Sequence, residues 1–154
     1  MKRIEVSIII LLAIISIQAF LGDNINLFTV FPMGAVVVSL GGFAQALQQA
    51  GIAVVVHAVN GFLIIAVSLA VVVFSLMMRV NKLRITSIIG LIGLIVALSG
   101  GLLFVFSGYG NNGYSAQMAT GFLIAYAFYF IELYFTKGLD QPNRNAGVVS
   151  QVVR

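Results

Sequence analysis

Apolar residues along most of this chain do not alternate with polar ones; they run together. From Ile4 to Gly22, Ile52 to Met78, Ile85 to Phe106 and Ala116 to Phe135 the residues are nearly all Ile, Leu, Val, Ala, Phe and Gly, with isolated Ser, Thr, Gln and Asn. Each run approaches or exceeds the ~20 residues a helix needs to cross a bilayer. The pattern predicts an all-α integral membrane protein: a four-transmembrane-helix bundle over 1–136, with a long outer loop between helices 1 and 2, and a cytoplasmic tail over 137–154. Met1-Lys2-Arg3 followed by an apolar run also resembles a secretory signal, but Glu5 and the unbroken Ile/Leu series favour an uncleaved first span. Between the last two spans, Ser107 to Ser115 is rich in Gly and Asn, which favour a turn.

The stretch from residue 24 to 78 is long enough for one crossing or two, and charge decides between them. All eight Lys and Arg fall in three groups: Lys2 and Arg3; Arg79, Lys82 and Arg84; and Lys137, Arg144 and Arg154. One crossing over residues 52–78 puts all three groups on one face, whereas two would split them and turn the basic amino terminus outward. The positive-inside bias therefore selects four spans in the cell membrane, with both termini cytoplasmic. Leu27 to Ala50 then becomes an outer cap: Pro32, Gly34 and Gly41-Gly42 break a helix, while Gln45, Gln48 and Gln49 share one helical face. The alternative reading of this segment is a short fifth helix.

Composition closes off other classes. With 61% hydrophobic and 8% charged residues, the chain cannot cover a soluble surface, so soluble enzymes and nucleic-acid binders are excluded and the lipid bilayer is the first partner. The net charge of +4 reflects orientation, not a nucleic-acid target. Cysteine is absent, which removes disulfides, thiolate metal sites and a cysteine nucleophile.

Small residues supply the expected helix contacts: Gly93, Ala97 and Gly101 on the third span, with Ser87, Gly90 and Gly100, facing Gly121 and Ala125 on the fourth and Ala66 and Ala70 on the second. Glu5 and Glu132 stand near the basic turn, where ion pairing at the interface is expected and a proton-carrying role is the other reading. Tyr126, Tyr129 and Tyr134 read as packing residues and interface anchors.

His57, the sole histidine, falls in the first turns of the second span at the outer end. A neutral imidazole there can ligate a metal or haem iron, or can bond a loop carbonyl or Asn60. Gln18 and Gly22 lie at a comparable depth on the first span, Gly100 and Gly101 on the third, and Gly61 lies one turn deeper than His57, so a flat macrocycle could approach the backbone. With Gln18-Ala19-Phe20-Leu21-Gly22 closing the first helix, Phe31-Pro32 in the loop, His57 with Gly61, the basic Arg79 to Arg84 turn and the glycines closing the third helix, residues 10–136 resemble one half of a haem A synthase. That resemblance implies a four-helix unit with haem as cofactor and His57 as an axial ligand to its metal. Ser115-Ala116-Gln117-Met118 occupies the position of the family's second histidine, so Met118, or His57 of a second copy, becomes the candidate for the other axial position. Val54 stands where the family has an acidic residue, and its loop cysteines have no counterpart. The resemblance thus points to a cytochrome oxidase assembly factor, a small b-type cytochrome or a haem-oxidising enzyme, acting as a homodimer or within a larger respiratory complex. The alternative is a non-catalytic structural subunit of such a complex.

Overall fold

A computed structural model describes residues 2–31 and 39–139. The loop residues Pro32 and Gly34, and the tail from 140 onward with Arg144 and Arg154, lie outside the described residues. The chain forms five helices: α1 (Lys2–Phe28), α2 (Leu40–Gln49), α3 (Ile52–Met77), α4 (Asn81–Phe106) and α5 (Asn112–Leu139). Four of them, all but α2, are long and apolar enough to cross a membrane. At ~1.5 Å per residue each reaches ~40 Å, more than the ~30 Å of bilayer hydrocarbon. Each also leaves large apolar side chains exposed, including Ile9, Phe20, Val59, Leu63, Ile92, Leu123 and Phe130, as a helix surrounded by lipid does.

Two boundaries differ from the sequence reading. Helix α1 continues six residues past Gly22, through Asp23, Asn24 and Asn26, which read as a terminus. Asn24 turns its amide back onto the Phe20 carbonyl at 2.8 Å, and Ile25 is buried in a cluster with Val54, Phe104 and Tyr109, so packing carries the helix onward. Helix α5 begins at Asn112, inside the expected turn. The Asn111 side chain accepts from the Gly113 amide at 2.9 Å and satisfies an otherwise open helix-terminal donor.

Helix α2 is the third difference: the short fifth helix is present. Gly41 and Gly42 do not break it but form its first turn, because Ser39 caps it with a hydroxyl that accepts from Gly42 N at 3.1 Å. Its ten residues cannot span a bilayer; they lie against α3 and α4, with Phe43, Ala46 and Leu47 packed inward and Gln45, Gln48 and Gln49 exposed.

Round the bundle, neighbours run α1, α3, α4, α5 and back to α1, with the closest packing between α4 and α5. Glycine is the cause. A Cβ on Gly121 would stand 2.5 Å from Ala97 N and 2.5 Å from Gly93 O, and one on Gly93 2.8 Å from Ala125 N. The expected meeting of Gly93 and Ala97 with Gly121 and Ala125 is therefore present. Ala66 and Ala70, by contrast, are exposed on α3, whose inward stripe is Ile64, Ser68, Val71 and Ser75 at spacings of four, three and four. The small residues that α3 turns inward are Ser68 and Ser75, alternating with Ile64 and Val71, and not the two alanines.

Apolar residues fill the half of the bundle near the Arg79 to Arg84 turn: Ile8, Leu11, Ile15, Val71, Leu83 and Tyr129 are buried there. Tyr129 crosses Gly90, where a Cβ would stand 2.7 Å from its ring, and its hydroxyl meets Ser68 of the diagonally opposite helix α3.

Candidate functional site

In the other half of the bundle the inward positions shrink. Ala19 and Gly22 on α1, Ala58 and Gly61 on α3, Ala97 and Gly101 on α4 and Ala119 on α5 leave a cavity of ≈ 460 Å³ at its core, lined mainly by apolar atoms. Ligand sites of small molecules occupy about 300–1,000 Å³ and have the same apolar character with a few polar groups. The floor is formed by Ile64, Leu94 and Phe122, where the filled half begins. Over the other end sits a lid. Phe31 stacks on Tyr109 at 4.8 Å between ring centroids and meets Phe104 edge-on at 5.3 Å, and Tyr109 donates its hydroxyl to Ala46 O of α2 at 2.9 Å. Burial pushes the Tyr109 phenol above its ordinary pKa, so it stays a donor at neutral pH. The chain reaches this arrangement through Gly108 and Tyr109, both in the left-handed region with φ of 65° and 63°.

His57 and Met118, the two residues expected to bind a cofactor, both line this cavity, with Gln18, Gly22, Gly61 and Gly101. The imidazole lies against α1: a Cβ on Gly22 would stand 3.2 Å from its Cε1 and 3.9 Å from its Nδ1. Across the cavity Met118 occupies the hollow over Gly101, its Sδ 3.2 Å from where a Cβ would be. Gly100 has a different use, since its missing Cβ lets α4 approach the backbone of Tyr114 and Met118.

Neither hydrogen bond expected for His57 forms at Nδ1. That atom is buried and has no partner. The Asn60 amide donates instead to Gln18 Oε1 at 2.7 Å, and Gln18 Nε2 donates to the His57 backbone carbonyl at 3.0 Å. The amide pair thus ties α1 to α3 beside the ring and leaves the ring itself unsatisfied, an arrangement that costs about 1–3 kcal/mol unless something else satisfies the group. Gln18, expected only to close the first helix, is part of this bridge. Its bridging role is visible in the sequence only as an amide at the same depth as another amide, in two otherwise apolar helices.

Among the described residues no group of three or more His, Cys, Asp and Glu could hold a metal ion. The ion pairing expected of Glu132 with the basic turn is also absent: Glu132 is completely buried, bonds Ser75 through Oε1 and leaves Oε2 without a partner. Its position on the inward stripe of α5, with Gly121, Ala125, Tyr129 and Thr136, overrides its nearness in sequence to the interface. No family model, curated protein or solved structure matches this chain.

Proposed function

We propose that this is a haem-handling integral membrane protein, a cytochrome oxidase assembly factor or small b-type cytochrome similar to half of a haem A synthase, with its cavity in the outer leaflet and both termini in the cytoplasm. One observation supports the reading above the rest: an apolar cavity of ≈ 460 Å³ bordered by the chain's one imidazole and by a thioether. The residues fit the group. Gly22 and Gly101 seat the His57 ring and the Met118 thioether on facing walls of the cavity, so that the imidazole nitrogen and the soft sulfur would be the two atoms to hold the group.

Haem held there supplies one-electron chemistry at its iron. His57, in the second turn of α3, would hold the group through an imidazole nitrogen. Its Cε1–Nδ1 edge rests on Gly22, which leaves Nε2 for the cavity. The Gln18–Asn60 pair fixes the backbone that carries the ring, and the rings of Phe31, Phe104 and Tyr109 cover one end of the cavity. Val54 stands where the resembled family has an acidic residue and Ser115 to Met118 where it has a second histidine, so binding and transfer of haem suit this chain better than its oxidation.

Wild-type protein purified from cells supplied with ample haem is expected to show a Soret band at close to one haem per binding site. Absence of that band ends the reading.

A further inference from the structure

Glu132 is the one wholly buried carboxyl among the described residues, and it lies in the filled half of the bundle, away from the cavity. Its Oε1 accepts from the Ser75 hydroxyl at 2.5 Å across the α3–α5 diagonal, and its Oε2 meets nothing polar. A carboxylate has about four lone-pair sites to satisfy, and its charge costs several kcal/mol in an apolar interior unless a cation or several donors face it. The surrounding helices do not provide them. From α3 come only the hydroxyls of Ser68 and Ser75, and Ser68 is engaged with Tyr129. From α4, Arg84 donates Nη2 to the Leu76 carbonyl at 3.0 Å and keeps an unpartnered Nε, while the Lys82 ammonium stands over the Phe135 ring, 5.3 Å from its centroid. Arg3 on α1 and Lys137 on α5 are exposed, and Glu5 on α1 would add charge of the same sign.

We propose that Glu132 is a proton-binding site, a carboxylic acid that is neutral at neutral pH, held by Ser75 and exchanging its proton at the basic end of the bundle. On release, the carboxyl O–H bond breaks, the proton passes to water at that end, and the carboxylate remains. Arg84 approaches the same stretch of α3 from α4. Its guanidinium rests on the carbonyl of Leu76, the residue after the Ser75 donor, so it is the cation placed to move onto the carboxylate. Thr136, buried one turn further along α5 toward the basic end, donates its hydroxyl to the Leu133 carbonyl.

Infrared spectroscopy with ¹³C-labelled glutamate tests this directly, because the whole chain contains only Glu5 and Glu132 as glutamates. In a Glu5→Gln background every labelled carboxyl band then belongs to Glu132, without any substitution of that residue. The expected result at neutral pH is a carboxylic-acid carbonyl band that moves on labelling, shifts in D₂O and fades as pH is raised. Ser75→Ala should move it to higher frequency as the hydrogen bond is lost. Labelled bands of the ionised carboxylate alone at neutral pH would overturn the proton site, and a band indifferent to Ser75→Ala would overturn its link to α3. Neither outcome depends on haem.

Discussion

Gly121→Leu is expected to lower the stability of the bundle by about 3 kcal/mol or more, at the upper end of what overpacking costs. Helix association in lipid lacks the drive of water exclusion and rests on close contact. At Gly121 the nearest obstacles to a Cβ are backbone atoms, Ala97 N and Gly93 O at 2.5 Å, and backbone cannot rotate aside as a side-chain tip can. The α4–α5 pair must separate, and the Tyr129–Ser68 and Glu132–Ser75 bonds that reach across the bundle from α5 are strained with it. Ala127→Leu, on the exposed face of the same helix, should leave stability unchanged. Denaturant unfolding in detergent, followed by helical circular dichroism, separates the two. Equal midpoints for both variants would show that the glycine contact does not hold the bundle.

The second large effect is on ligand binding. His57→Ala should weaken haem binding tenfold or more, about 1.4 kcal/mol at the least, and remove the Soret band from protein purified at limiting haem. The ring is the only imidazole in the chain, so no neighbour can substitute for it. Met118→Ala divides the remaining possibilities. If the thioether is the second axial ligand, the band survives at a shifted position; if His57 of a second copy serves, the band is unchanged and depends on protein concentration. Retention of full wild-type affinity in His57→Ala would remove the imidazole from the site altogether.

Much of the architecture was legible because bilayer-length apolar runs and Gly/Ala spacings are direct physical signals. Four long apolar helices and the Gly93, Ala97, Gly121, Ala125 contact follow from them. What the sequence concealed depends on tertiary partners. Ser39 capping turned Gly41-Gly42 from a breaker into a first turn, burial of Ile25 prolonged α1 through polar residues, and the inward stripe of α5 took Glu132 away from the cations near it in sequence. At the site, the small residues at one depth announced open space, and the cavity lies among them. The Gln18–Asn60 bond was hidden because a single amide in an apolar helix does not name its partner.

The central claim is that the chain crosses the bilayer four times, with α2 and the cavity lid on the face opposite the Arg79 to Arg84 turn. The absence of native cysteine makes its test clean. Single substitutions Gln45→Cys on α2, Asn111→Cys beyond the lid and Lys82→Cys in the basic turn all fall at exposed positions. In intact cells a membrane-impermeant maleimide should label Gln45→Cys and Asn111→Cys, and should reach Lys82→Cys only after the membrane is opened. Labelling of Gln45→Cys and Asn111→Cys from opposite sides, or of Lys82→Cys together with Asn111→Cys, would contradict it.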